Sequence, residues 1–113
     1  MNNYKDSAAH VYVLGLTYGT KKVLKIGFSR NVFRRIRVFK NLGIKTKILH
    51  ISIANSSNSI NQLERLLLKE TVVHKTSFPI KFSGDTEIRS VKAIQKIKEI
   101  IDGYNEETLI SIL

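Results

Sequence analysis

The chain has 113 residues, with 19 Lys and Arg against nine Asp and Glu, and no cysteine. That length suits one domain spanning 1–113 with a modest two-layer core and no separate substrate domain, and the lack of cysteine excludes disulfides, thiol catalysis and cysteine metal sites. No apolar run approaches the ~20 residues needed to span a bilayer, and the opening MNNYKDSAAH lacks the basic-then-apolar pattern of a signal peptide, so an intracellular, cytoplasmic setting is expected.

Residues 9–16 (AHVYVLGL) and 22–28 (KVLKIGF) are rich in β-branched and aromatic side chains and read as two strands around a turn at Thr17-Tyr18-Gly19-Thr20. With the turn centred between Tyr18 and Gly19, Tyr12 falls opposite Lys25 and both side chains share one face of the hairpin. Ser29 or Asn31 can cap a helix over about 31–42, in which Val32, Ile36 and Phe39 recur at helical spacing and Gly43 supplies the stop. On a helical wheel Arg35 lies at the edge of that apolar stripe, while Arg30, Arg34 and Arg37 lie well away from it. Phe33 and Phe39 are expected in the core.

Residues 45–54 (KTKILHISIA) form a third strand, and the polar run NSSNS at 55–59 is a loop ending in a helix cap. A helix over about 59–73 buries Ile60, Leu63, Leu66 and Leu67, with Glu64 partly buried on its flank. Residues 74–86 are irregular and carry the single proline. A helix over about 87–102 repeats Ile88, Val91, Ile94, Ile97 and Ile101 and ends at Gly103; Asn105 then caps a short helix at 106–112. The expected fold is α+β: a small three-stranded antiparallel sheet flanked by helices, in the order β-β-α-β-α-α, with the core at about 9–102.

The charge is concentrated. No acidic residue lies between Asp6 and Glu64, an interval that holds Lys21, Lys22, Lys25, Arg30, Arg34, Arg35, Arg37, Lys40, Lys45 and Lys47. Such a field attracts polyanions, of which nucleic acid is the commonest. The plainer reading is a solubilising basic surface. No helix joins a lysine-rich face to exposed aromatic anchors, so a membrane partner is not expected. His10, His50 and His74 are scattered without zinc spacing, and no Gly-rich phosphate loop is present.

The chemistry-bearing residues have a defined spacing. Val11-Tyr12-Val13 is followed by eleven residues, then Lys25-Ile26-Gly27, then seven residues, then Arg35, with Glu64 later on a helix. A phenol, an amine, a guanidinium and one carboxylate can bind a phosphodiester and one divalent metal. A lone carboxylate suffices for Mg²⁺, which keeps most of its waters, and the metal polarises the phosphate. Glu64 has no cation three or four residues away on its helix to occupy it. Plainer roles are a packed strand tyrosine, a surface lysine, a bend at Gly27 and an arginine that binds without catalysing.

This pattern resembles the GIY-YIG nuclease family over roughly residues 9–90. In that family two tyrosine-bearing tripeptides precede a helix with an active-site arginine, and a glutamate binds the metal. The resemblance implies a metal-dependent DNA endonuclease, a hydrolase using Mg²⁺ or Mn²⁺. Tyr12 and Lys25 would handle the water proton, Arg35 the phosphate and Glu64 the metal. Gly27, Arg30, Arg34, Arg37 and Lys40 would contact the nucleic-acid backbone. The second tripeptide departs from the family in beginning with lysine, as in a phage-associated branch. The late asparagine of many members is missing from 82–89 (FSGDTEIR). Gly84 followed by Glu87 looks like the late Gly…Glu segment of that branch, although Glu87 equally suits the first turn of a helix after Thr86, which is the reading adopted. The expected partner is DNA, with RNA or a protein as alternatives. The competing reading is a nuclease-like fold without catalysis, acting as a phage regulator or anti-defence factor; a ribosome- or RNA-associated basic protein rests on charge alone.

Overall fold

A computed structural model describes residues 9–54, 61–82 and 87–113. Strands β1 (His10–Tyr18) and β2 (Lys21–Ser29) form a hairpin closed by Gly19 and Thr20. Gly19 adopts φ +61°, and among the described residues no non-glycine residue has positive φ. A glycine followed by a residue of negative φ is the pattern of a two-residue II′ turn, whose twist matches that of the strands. The register therefore differs from the expected one: Tyr12 lies opposite Gly27, and Lys25 opposite Leu14. The displacement is two residues, so Tyr12 and Lys25 keep a common face despite the changed pairing.

Helix α1 (Val32–Asn41) follows β2 directly. Asn31 caps it by accepting the Arg34 N–H at 3.0 Å, and Ser29 Oγ accepts the Asn31 N–H at 3.0 Å. Gly43, at φ +81°, takes the left-handed turn that ends the helix. Strand β3 (Lys45–Ile53) returns antiparallel to the outer side of β1, with a bulge between the partners of Val13 and Leu14. Helix α2 (Gln62–Glu70) is capped by Asn61, which accepts the Glu64 N–H at 2.9 Å. The expected cap in the 55–59 run, and Ile60, lie outside the described residues. Leu63 and Leu67 are buried as expected, whereas Leu66 is exposed.

The expected three-stranded sheet is overturned: among the described residues the sheet has five strands in the order β4-β2-β1-β3-β5, each antiparallel to its neighbour. Strand β4 (Ile88–Ser90) occupies the start of the expected 87–102 helix and pairs with β2. A 3₁₀ turn at Val91–Ala93 leads from it into helix α3 (Ile94–Asp102). Strand β5 (Glu107–Ser111) replaces the expected terminal helix and pairs with β3. Both are edge strands. The edges of a hairpin and of β3 carry rows of unpaired backbone groups, and satisfying them outweighs the weak helical periodicity of short segments. Gly103 ends α3 with φ −91°, so it needs no left-handed conformation there.

Helices cover both faces, which is why β1 reads as a nearly continuous apolar run rather than an alternating one. One core joins Tyr12, Leu14, Leu16, Val23 and Ile51 to Val32, Ile36 and Phe39 of α1, with Phe78 and Ile88. The other joins Val11, Val13, Leu24 and Ile26 to Leu63 and Leu67 of α2 and Ile97 of α3. Phe33 departs from expectation: it is 63% exposed on α1.

Arg89 ties α2 to the sheet edge. It is buried in β4, and its guanidinium donates to Thr71 Oγ1 at 3.0 Å, to the Leu68 carbonyl at 3.1 Å and to the Ile88 carbonyl at 3.1 Å. A cation against the last carbonyls of a helix also complements its dipole. Arg89→Met is expected to lower stability by about 2–4 kcal/mol, because it strands buried acceptors and removes charge-assisted bonds. Chemical denaturation measures this; a loss below about 1 kcal/mol would rule out the clamp.

Candidate functional site

Tyr12 and Gly27 form the base of the site. Tyr12 is buried in mid-β1, and its side chain crosses the hairpin onto Gly27, where any Cβ would overlap the phenol Cζ and Oη. Gly27 lies within β2 rather than at its end. The space above its Cα is filled by the tyrosine ring, so no open approach to phosphate is left there. Lys25, two residues back on the same face, is 1% exposed. Its Nζ lies 5.6 Å from the centroid of the Tyr12 ring, donates to the Ile26 carbonyl at 2.9 Å, and forms an ion pair with Glu87.

Arg35 enters from α1. It is half-buried, packs its guanidinium 5.7 Å from the Phe39 ring centroid, and hydrogen-bonds the Tyr12 side chain. The wheel position at the stripe edge thus becomes a packed stem with a directed head. Arg30, Arg34, Arg37 and Lys40 are exposed around it on or beside α1. Glu64 arrives from the other side of the sheet. Helix α2 packs in the second core, and the half-buried Glu64 side chain lies next to that of Glu87.

Glu87 was expected to cap a helix. Instead it immediately precedes β4, where its carboxylate bonds Lys25 and touches Glu64. Local context concealed this, because an acid before an apolar periodic run is also a helix-start signal. The one hint was the Gly…Glu spacing; Gly84 and Thr86 themselves lie outside the described residues. Tyr12, Lys25, Arg35 and Glu64 therefore converge with Glu87 added, and Gly27 shapes their floor.

The groups perturb one another. Burial pushes the Tyr12 phenol up, with Glu87 and Glu64 adding to the rise and Arg35 opposing it. Burial pulls the Lys25 ammonium down, aided by Arg35 and resisted chiefly by Glu87. Burial, then the neighbouring Glu87 charge, raises Glu64 from 4.5 to about 6. At neutral pH the phenol is protonated and can donate or orient, while Glu64 is largely ionised. Such a carboxylate, set beside a second one and short of compensating charge, is suited chemically to a hard cation with oxygen ligands that retains waters. Among the described residues no group of three or more His, Asp or Glu converges in that way.

Two predictions follow from this geometry. Gly27→Ala is expected to force the Tyr12 ring off its seat and cost about 2 kcal/mol or more, the scale of overpacking a core; Gly27→Ala/Tyr12→Leu is expected to regain part of that loss in urea unfolding, and equal loss in both would contradict the seat. The second concerns pH without divalent metal. Glu64 binds its proton more tightly folded than unfolded, so its favourable contribution is complete below 4.5 and fades as pH rises through about 6. Glu64→Gln is therefore expected to gain about 1 kcal/mol over wild type between pH 4 and pH 8, after allowance for solvent screening. His50 is buried with its imidazole held below its usual range by desolvation, so it acts in the opposite sense, losing stability as pH falls below 6.5; its effect cancels between the two proteins.

Comparison with known protein families, with curated proteins and with solved structures finds no match to this chain.

Proposed function

We propose that this protein is a metal-dependent endonuclease of the GIY-YIG type that hydrolyses DNA phosphodiesters. The observation that carries the reading is the meeting of Tyr12, Lys25, Arg35 and Glu64, drawn from two strands and two helices, at one electrostatically coupled point. Packing alone seldom gathers a phenol, an amine, a guanidinium and a carboxylate, and groups that shift one another's pKa mark functional sites.

Glu64 would hold Mg²⁺ or Mn²⁺, which when bound supplies Lewis-acid stabilisation of the phosphate. The Arg35 guanidinium, fixed between Phe39 and Tyr12, would meet the charge that develops on the non-bridging oxygens. The neutral Tyr12 hydroxyl would orient the attacking water, and the Lys25 amine would take up its proton in the neutral form that burial favours and the Glu87 charge opposes. Arg30, Arg34, Arg37 and Lys40 would follow the backbone and make affinity salt-dependent.

One observation favours a second reading, a nuclease-like protein that binds nucleic acid or a protein without cutting. Lys25 is 1% exposed and already engaged by Glu87 and the Ile26 carbonyl. Plasmid nicking separates the two. The wild type is expected to nick with Mg²⁺ or Mn²⁺ and not with EDTA. Glu64→Ala is expected to abolish nicking yet bind DNA at least as well, since it removes a negative charge. Arg34→Ala is expected to weaken binding and to reduce the salt slope by about one. DNA binding without metal-dependent nicking by the wild type would establish the second reading instead.

A further inference from the structure

Among the described residues the Lys25 ammonium has Glu87 as its ion-pair partner, and the Glu87 carboxylate also lies next to the Glu64 carboxyl. We propose that Glu87 is a positioning residue of the site: its carboxylate holds the Lys25 amine against the Tyr12 ring and beside Glu64. The role in the reaction rests on the endonuclease reading; the hold on the amine does not.

The backbone explains why this residue does it. Lys25 pairs with Ile88 across β2 and β4, so the residue preceding Ile88 falls level with the Lys25 side chain. Arg89, one position further on, anchors the same short strand to the end of α2 through Thr71 and Leu68. Glu87 therefore has its backbone fixed from one side and its carboxylate fixed by the Lys25 ion pair. The lysine stem is flexible, and a buried ammonium needs compensation. Apart from Glu87, the bond formed by its Nζ is to one neutral acceptor, the Ile26 carbonyl, while the Arg35 charge disfavours the ammonium. Without Glu87 the amine keeps the Ile26 carbonyl, the Tyr12 ring and the more distant Glu64 charge, loses its ion-pair partner beside the repelling Arg35, and swings toward water. The carboxylate therefore keeps the amine at a set place relative to Tyr12 and Glu64, which proton transfer in any reaction here requires.

Reductive methylation with formaldehyde and dimethylamine-borane, read by mass spectrometry, tests the hold without DNA or metal. In the wild type Lys25 is expected to be protected, with exposed Lys21 as internal reference. In Glu87→Gln its modification is expected to rise by about 10²-fold, the scale of removing one partner of a buried ion pair, and Glu87→Asp is expected to restore part of the protection. Folding is checked by circular dichroism, and Lys25→Met/Glu87→Gln supplies a neutral pair in case Glu87→Gln does not fold. Unfolding of Glu87→Gln with recovery in that double variant also supports the proposal, because the uncompensated amine is then the cause. Protection of Lys25 unchanged in a folded Glu87→Gln overturns it, as does failure of both variants to fold.

Cleavage adds the reaction. Glu87→Gln is expected to lower kcat about tenfold or more with KM for DNA unchanged, and to cost nothing further in a Lys25→Met background, as for two residues acting through one group. Losses that multiply in the double variant overturn the positioning role. If the wild type cleaves nothing, the endonuclease reading fails, while the methylation result still decides whether Glu87 holds the amine.

Discussion

A lysine ammonium buried beside the central hairpin has to be compensated, and much of the site's arrangement serves that end. Lys25 is as inaccessible as the core leucines around it. Water cannot solvate its charge, so the protein must supply acceptors. The Ile26 carbonyl is available from the same strand, but the counter-charge comes from Glu87, 62 residues away. Strand β4 has to dock on β2 for that carboxylate to arrive. Beyond its burial, the Glu64 carboxyl is raised further by the Glu87 charge and lowered by Lys25, so the acid–base character of Lys25 and Glu64 depends in part on the docking of one three-residue strand.

Two polar clamps fasten helix α2 to the sheet, one at each of its ends. Arg89 caps the end of α2 from within β4. At the other end Asn61 accepts the Glu64 N–H and donates through Nδ2 to Glu106 at 3.0 Å, and Glu106 also accepts from Ser52 Oγ at 3.1 Å. A buried side-chain amide with both ends used is costly to displace. Glu64 is thus placed by bonds at both termini of its helix, although Leu63 and Leu67 beside it pack into the core on the opposite sheet face from Tyr12. A carboxylate reaching round the sheet edge is what allows both helical layers to contribute to one site.

Where the signals were local, the chain was readable. Asn31, the Val32–Ile36–Phe39 stripe and Gly43 each act within a few residues, and α1 has the expected limits. Arg35 at the edge of the stripe and Glu64 on its flank were readable for the same reason. The hairpin was readable, but its register depended on the φ of Gly19, which moved the pairing by two residues and preserved the face. Strands β4 and β5 were not readable. A three-residue strand has no periodicity of its own, and β5 exposes every side chain, so neither carries a pattern that a buried face would impose. Phe33 and Leu66 were misplaced because an apolar residue near a stripe does not by itself reveal whether a neighbour covers it.

The amino-acid sequence by itself determined the basic character, the two-strand start, the two helices that carry Arg35 and Glu64, and the residue types available for chemistry. These follow from short-range propensity, capping and charge, which act along the chain. Only the tertiary structure decided that Tyr12 would rest on Gly27, that Arg89 would fasten α2 to a fourth strand, and that Glu87 would become the counter-charge of Lys25 rather than a helix cap. Those outcomes depend on which unpaired strand edges and buried charges meet in space, because desolvation makes each of them costly until a partner distant in sequence arrives.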